Sequence, residues 1–231
     1  MSSSTMKPIK LYGHWGPNPT KVATILEELN LPYEISHVEF ADVKGPAYTA
    51  VNPNGRVPAI YDPNTGLTLW ESGAIIEYLV EKYDTARKLS FAPGSNEYYL
   101  ARQFMAFQIS GQGPYFGNAI YFKRFAPEPN PNAVARFVKE INRVAGVVES
   151  VLSEQKKKHA GSGAEGEGPW LVGGRLSYAD LAFWVWFHLT ALQLEKDQYD
   201  VDQYPLVKEW LGKMAARKTT SEVLKRFMPP Q

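Results

Sequence analysis

The sequence predicts a two-part protein: a small α/β unit on a four-stranded mixed sheet, then an all-helical bundle. Three observations predict it. Between Ile9 and Tyr83 the hydrophobic period switches between that of strands and that of helices, in the order strand, helix, strand, hairpin, helix. After Asp84 the strand signals stop. Leu181 to Leu192 is apolar on every face, which suits the centre of a bundle. The expected boundaries are residues 1–84 for the α/β domain, 85–95 for a linker and 96–231 for the helical domain.

Each element has its own signal. Ile9 to Tyr12 reads as a strand, and Asn18 followed by Pro19 offers an N-cap with proline at the first helical position. Val22, Ile25, Leu26 and Leu29 then share one helical face. Tyr33 to Val38 is the second strand. Val57 to Tyr61 and Leu67 to Trp70 flank the turn sequence Asp62-Pro63-Asn64-Thr65-Gly66 as a hairpin. A helix from Ser72 buries Ile76, Leu79, Val80 and Tyr83. Pro93-Gly94 lies in the linker, and Glu97 to Phe125 predicts a long helix kinked or broken at Gly111, Gly113 and Pro114. Val134, Phe137, Val138, Ile141, Ala145, Val148 and Leu152 mark a second amphipathic helix. Ser177 and Asp180 form a capping box ahead of the apolar helix.

Composition excludes several classes of function. Basic and acidic residues number 25 and 24, so no electrostatic case for nucleic acid exists. The basic run Lys156-Lys157-Lys158 leads into the Gly-rich stretch 161–168 and reads as a solvated loop. Without cysteine there is no disulfide, no thiol nucleophile and no Cys-ligated zinc, so any thiol chemistry must come from a cofactor. His37 ends a strand, and His159 and His188 lack metal-ligand spacing; no metal is expected. The longest apolar run is far too short to span a membrane, and the N-terminus has no apolar signal core, so a cytoplasmic protein is expected.

The segments GPNPTKV, NPNGRVPAI and WESGAIIEYLVEKY follow one another at the spacing of a thioredoxin-like domain. QISGQGPYFGNAIYF and PWLVGGRLSYADLAF follow in the helical half. Together they resemble the glutathione transferase superfamily, and within it the fungal branch similar to the yeast nitrogen regulator, which also resembles a bacterial class of disulfide-bond reductases. The resemblance spans most of the chain.

That resemblance implies glutathione as cosubstrate or cofactor and gives the motifs roles. Glutathione carries two carboxylates, an ammonium and a thiol, and a helix N-terminus favours an anion. Glu71 would pair with the γ-glutamyl ammonium and Ser72 with its carboxylate; read alone, Ser72 is an N-cap. Val57, before a cis Pro58, would pair through its backbone with the cysteinyl residue. Arg56 would contact the tripeptide, or else is an exposed structural arginine. In the loop Ala41 to Pro46 the position that is basic in this branch is Val43, and Lys44 is the substitute. Where many relatives have a catalytic serine this chain has Gly16, and Asn18 matches the branch's asparagine as thiolate stabiliser; Tyr12 and His14 are reserves. His14, Trp15, Pro17, Tyr115, Asn118 and Phe122 are candidates for an apolar co-substrate pocket, although aromatic residues at this density also build cores.

The implied activity is addition of the glutathione thiolate to an apolar electrophile. The alternatives are cis-trans isomerisation of a double bond by reversible thiolate addition in secondary metabolism, glutathione-dependent reduction of disulfides or peroxides, and a non-enzymatic regulatory role. The family also implies a homodimer.

Overall fold

The protein is described by a computed structural model at residues 6–13, 15–160 and 168–227. His14 and positions 161–167 of the Gly-rich stretch lie outside the described residues. The chain forms two compact units. One runs to Lys88 and takes in the chain again from Arg217; the other is Leu89–Ala216.

In the first unit, β1 (Ile9–Tyr12), α1 (Pro17–Glu28), β2 (Tyr33–Ser36), a short α2 (Pro46–Thr49), β3 (Ala59–Asp62), β4 (Leu67–Trp70) and α3 (Ser72–Tyr83) follow in order. The strands lie β2-β1-β3-β4, with β1 parallel to β2 and antiparallel to β3, and β3 antiparallel to β4. This is the mixed sheet the sequence predicts. A parallel pair needs a crossover, which α1 supplies. Ile9 and Leu11 of β1 and Ile60 of β3 are fully buried, as are Val22, Ile25 and Leu26 of α1 and Ile75, Ile76 and Leu79 of α3. The hairpin turn is held by Asp62, whose Oδ1 accepts the Asn64 N–H at 2.8 Å and whose Oδ2 accepts the Tyr78 hydroxyl at 2.6 Å.

The start of α1 differs from expectation. Gly16, not Asn18, is the N-cap, and Pro17 takes the first helical position. Gly16 has φ 93°, in the half of backbone space open to glycine. Its carbonyl accepts both the Thr20 N–H at 3.3 Å and the Thr20 hydroxyl at 2.7 Å. Asn18 therefore sits inside the first turn.

The second unit contains α4 (Asn96–Phe107), a π-helical turn (Gln108–Gln112), α5 (Gly113–Arg124), α6 (Pro131–Lys158), α7 (Tyr178–Ala191), a 3-10 turn (Val201–Gln203) and α8 (Pro205–Ala216). The predicted break in the long helix is the π turn. Pro114 has no N–H to continue the ladder, and the wider turn accommodates the defect. The Gln112 side chain secures it by donating to the Phe183 carbonyl at 3.0 Å, while Gln108 donates to Gln112 at 3.2 Å. The apolar α7 is buried along its length among α4, α5 and α8. The lysines 156–158 form the last turn of α6 rather than a loop, where cations face the negative end of the helix dipole.

The last helix, α9 (Lys218–Phe227), packs on α1 in the first unit, whereas the sequence reading runs the helical domain to residue 231. The tie is ionic, a buried carboxylate held by cations that reach solvent. Glu28, 1% exposed, accepts from Arg217 Nε and Nη2 at 3.0 and 2.9 Å, from Lys88 Nζ at 3.3 Å and from the Thr219 hydroxyl.

Candidate functional site

Within the first unit, Asn18, Asn52, Asn54, Arg56, Val57, Pro58, Glu71 and Ser72 line a small cavity of about 100 Å³. Three elements deliver them. Asn18 comes from the first turn of α1, residues 52–58 from the loop before β3, and Glu71 and Ser72 from the start of α3. The Val57-Pro58 peptide bond is cis, as expected.

Glu71 is the N-cap of α3 with φ 68° and ψ 112°, an uncommon conformation for a residue with a side chain. Such strain is kept where the surroundings enforce it, and it concentrates at functional sites. The Glu71 carboxylate caps nothing; its Oε1 accepts from Asn54 Nδ2 at 3.1 Å. Ser72 follows as the first residue of the helix and is buried. First-turn N–H groups have no acceptor inside their own helix, so this corner joins backbone donors, a hydroxyl and a carboxylate.

The loop is set by its own asparagines. Asn52 Nδ2 donates to the Arg56 carbonyl at 2.6 Å, and Asn52 Oδ1 accepts the Asn54 N–H at 2.9 Å. Tyr48 donates its hydroxyl to the same Arg56 carbonyl at 2.8 Å. Lys44 does not line the cavity. Its ammonium donates to the Asn54 carbonyl at 2.8 Å and so braces the loop from behind.

At α1, Pro17 and Pro19 have no N–H, so among helix residues 17–19 only Asn18 brings a backbone donor, together with its side-chain amide. Beside the cavity, and sharing Val57 with it, is a mainly apolar recess of about 280 Å³ lined by Trp15, Val38, Phe40 and Val43, with Glu39 as its one charged residue among those described. Tyr12 turns its ring toward Tyr48, with centroids 6.3 Å apart.

A model of the glutathione S-transferase N-terminal domain matches residues 7–81, and a model of the C-terminal domain matches residues 116–226. The chain belongs to the glutathione transferase family. It is 53% identical to the glutathione S-transferase-like protein gedE of Aspergillus terreus, over 98% of this chain and 99% of that protein. It is similar in structure to the glutathione transferase URE2P8 of Phanerochaete chrysosporium, crystallised with oxidised glutathione. There the TM-score is 0.85 and the identity 38%, over 96% of each chain. A second neighbour, Ure2p5 of the same fungus, cocrystallised with 1-(S-glutathionyl)-2,4-dinitrobenzene, has a TM-score of 0.80 and 38% identity, covering 96% of this chain and 95% of that one.

Apart from Lys44, the site residues expected from sequence divide into three groups in this member of the family. Asn18, Arg56, Val57, Glu71 and Ser72 share the cavity, Trp15 lines the adjoining recess, and Pro17 opens α1. Tyr115, Asn118 and Phe122 lie on one face of α5 in the helical unit. Tyr115 and Phe122 both pack on Phe137 of α6, at 6.2 and 5.8 Å between ring centroids, while Asn118 is exposed. His14 lies outside the described residues. Among those residues no three His, Asp or Glu side chains are grouped as a metal would need, and no helix is long and apolar enough to cross a membrane.

Asn52 and Asn54 were missed, although both stand in the quoted NPNG segment. An asparagine beside proline and glycine reads first as a turn former. Lys21 was missed as well. It lies on α1, 1% exposed, and feels the Glu71 carboxylate. Burial pushes its ammonium down from the ordinary 10.5 to about 7, against the opposing pull of Glu71. Between these values the unfolded chain holds a proton that the folded chain lacks, so stability rises with pH across that window. Lys21→Met is expected to remove the slope. Its gain over the parent should be a few kcal/mol near pH 7 and should shrink as pH rises toward 10. Urea unfolding at about pH 7 and about pH 9.5 measures this, and an equal gain at both would show that the amine does not deprotonate inside the fold.

Proposed function

We propose that this transferase binds glutathione in the cavity around Glu71 and activates its thiolate for attack on an apolar electrophile. The observation that carries the reading is the meeting, in one small cavity, of a carboxylate, a helix N-terminus with a buried serine and an asparagine amide. These match the ammonium, carboxylate and thiol of the tripeptide. Glu71 takes the γ-glutamyl ammonium, Ser72 and the start of α3 its carboxylate, the Val57 backbone the cysteinyl residue, and Arg56 the remaining backbone or glycyl carboxylate. Lys44 acts indirectly, through Asn54.

Asn18 donates its amide to the sulfur, and the positive end of α1 adds to the effect. A free thiol titrates near ~8.5 and only its thiolate is nucleophilic, so stabilising the anion raises its population at neutral pH. The thiolate forms a C–S bond while a leaving group departs or, at a conjugated double bond, while the adjacent carbon takes a proton from water. The recess of Trp15, Val43 and Val57 provides an apolar wall for the electrophile. A cytoplasmic homodimer completes the reading. Oxidised glutathione in URE2P8 favours a second use of the same site, glutathione-dependent disulfide reduction.

Because Gly16 is the cap, Asn18→Ala takes no N-cap from α1. It should slow thiolate-dependent turnover by roughly one to two powers of ten, since a hydrogen bond to a charge is worth about 1.5–3 kcal/mol. Asn18→Asp, which places a carboxylate beside the sulfur, should raise the bound thiol pKa, read by ultraviolet titration. Normal turnover and an unmoved titration in both variants would take Asn18 out of the mechanism. Mass analysis of products decides the reaction. A gain equal to glutathione means conjugation, and unchanged mass with altered retention means isomerisation. Oxidised glutathione with a reduced co-substrate means reduction, and no turnover with retained binding means a regulatory protein.

A further inference from the structure

The glutathione reading gives the Asn54 side chain no contact with the ligand, although Asn54 is exposed and lines the cavity together with Glu71. The loop does not need that side chain for its shape. The Asn54 N–H donates to Asn52 Oδ1 at 2.9 Å, and the Asn54 carbonyl accepts the Lys44 ammonium at 2.8 Å. Asn52 and Tyr48 fix the Arg56 carbonyl two residues on. Between them Gly55, with φ +59°, passes so close under Lys44 that a Cβ would come within 2.8 Å of its Cδ. Main-chain groups of Asn54 therefore serve the turn, and its amide serves something else.

That amide reaches to the start of α3, where Nδ2 donates to Glu71 Oε1 at 3.1 Å. A carboxylate only accepts, so the bond decides how the amide is turned: the NH₂ faces Glu71, and Oδ1 is left as an acceptor. Among the described residues nothing donates to Asn54 Oδ1 or to Glu71 Oε2. One hydrogen-bonded pair at the cavity thus carries two unused acceptors, one neutral and one on an anion. A primary ammonium, with three N–H bonds and a positive charge, is the group that complements such a pair.

We propose that Asn54 is a glutathione-binding residue, which holds the Glu71 carboxylate in position and offers its own Oδ1 as a second acceptor for the γ-glutamyl ammonium. This rests on the reading that Glu71 receives that ammonium. The pair selects the free amino group of the tripeptide, and Asn54 adds affinity only when that group is present.

The test is a cycle between the side chain and the ligand's amine. The full chain and its Asn54→Ala variant are titrated calorimetrically with glutathione and with the glutaryl analogue, in which hydrogen replaces the amino group. The parent should bind the analogue roughly 10- to 100-fold more weakly than glutathione. Asn54→Ala should weaken glutathione roughly tenfold yet leave the analogue within about twofold. Asn54→Leu, which keeps much of the volume and loses both polar atoms, should behave as Asn54→Ala does. Both variants retain the backbone bonds of residue 54. A side chain that merely shaped the loop would weaken both ligands by one factor; that result, or glutathione binding unmoved in both variants, would overturn the proposal while leaving Glu71 as the receptor. Equal affinity of the parent for the two ligands would instead take the ammonium away from Glu71, and the proposal would fall with that reading.

Discussion

Asp180→Ala is expected to lower the free energy of unfolding by about 3–5 kcal/mol. Asp180 is fully buried at the start of α7, and four donors converge on its carboxylate. Oδ1 accepts the Leu171 N–H at 2.9 Å and the Trp210 indole N–H at 3.1 Å; Oδ2 accepts the Ser177 N–H at 3.0 Å and the Ser177 hydroxyl at 2.8 Å. One side chain thus joins the segment before α7, the α7 cap and α8. Burial pushes its carboxyl up to about 6, opposed by those four donors. Alanine leaves all of them in a dry interior, at about 1–3 kcal/mol for each group that finds no substitute. Asp180→Asn keeps the volume but turns an NH₂ toward donors, so it should recover only part of the loss. Urea unfolding reads the effect as a lower midpoint with the same slope. A loss below about 1 kcal/mol would mean that water replaces the carboxylate and that the site is not dry.

Glu71→Gly should weaken glutathione binding by roughly 10- to 100-fold while the protein becomes no less stable, and this is the second large effect. The carboxylate is the proposed partner of the ligand's ammonium, and charge-assisted bonds of this kind are the strong ones. The φ of 68° that strains a glutamate is open to glycine, so the substitution relieves the backbone by about 1 kcal/mol as it removes the receptor. Calorimetric titration with glutathione and thermal unfolding of the same two proteins separate the effects. A dissociation constant within about twofold of the parent would move the γ-glutamyl end away from Glu71.

The elements that alternation or helical periodicity marks strongly were legible in the sequence. The strands around Leu11 and Ile60, the amphipathic α6 and the capped α7 all follow from side chains a few residues apart. The GPNP segment shows where such reading stops. Two prolines offer two registers for the same helix start, and the choice lies in the φ of Gly16. The π turn was legible as a break but not as a π turn, because Pro114 dictates a defect and the Gln112 bond to Phe183 gives it form. The cavity was legible through the resemblance at Glu71, Ser72 and Val57, whereas Lys44, Asn52 and Asn54 bond one another in a pattern that no spacing encodes. Lys21 is hidden for a different reason: a lysine on an amphipathic helix reads as solvated until burial is seen. The placement of α9 was the least accessible, since Arg217 meets Glu28 across 189 residues of chain.

That ion cluster also bears on how the polypeptide is made. The chain leaves the first unit at Lys88 and re-enters it at Arg217, and both residues bind Glu28, so the whole helical unit is an excursion between two strands of chain pinned to one carboxylate. On the ribosome, the sheet and its first helices emerge long before Arg217–Phe227. They must wait, with one face of α1 uncovered and Glu28 only half neutralised, until the other unit has been synthesised. A stop codon near Lys88 would leave that face permanently bare, whereas splicing Lys88 to Arg217 through a short linker would restore its cover and produce the first unit as a separable fragment.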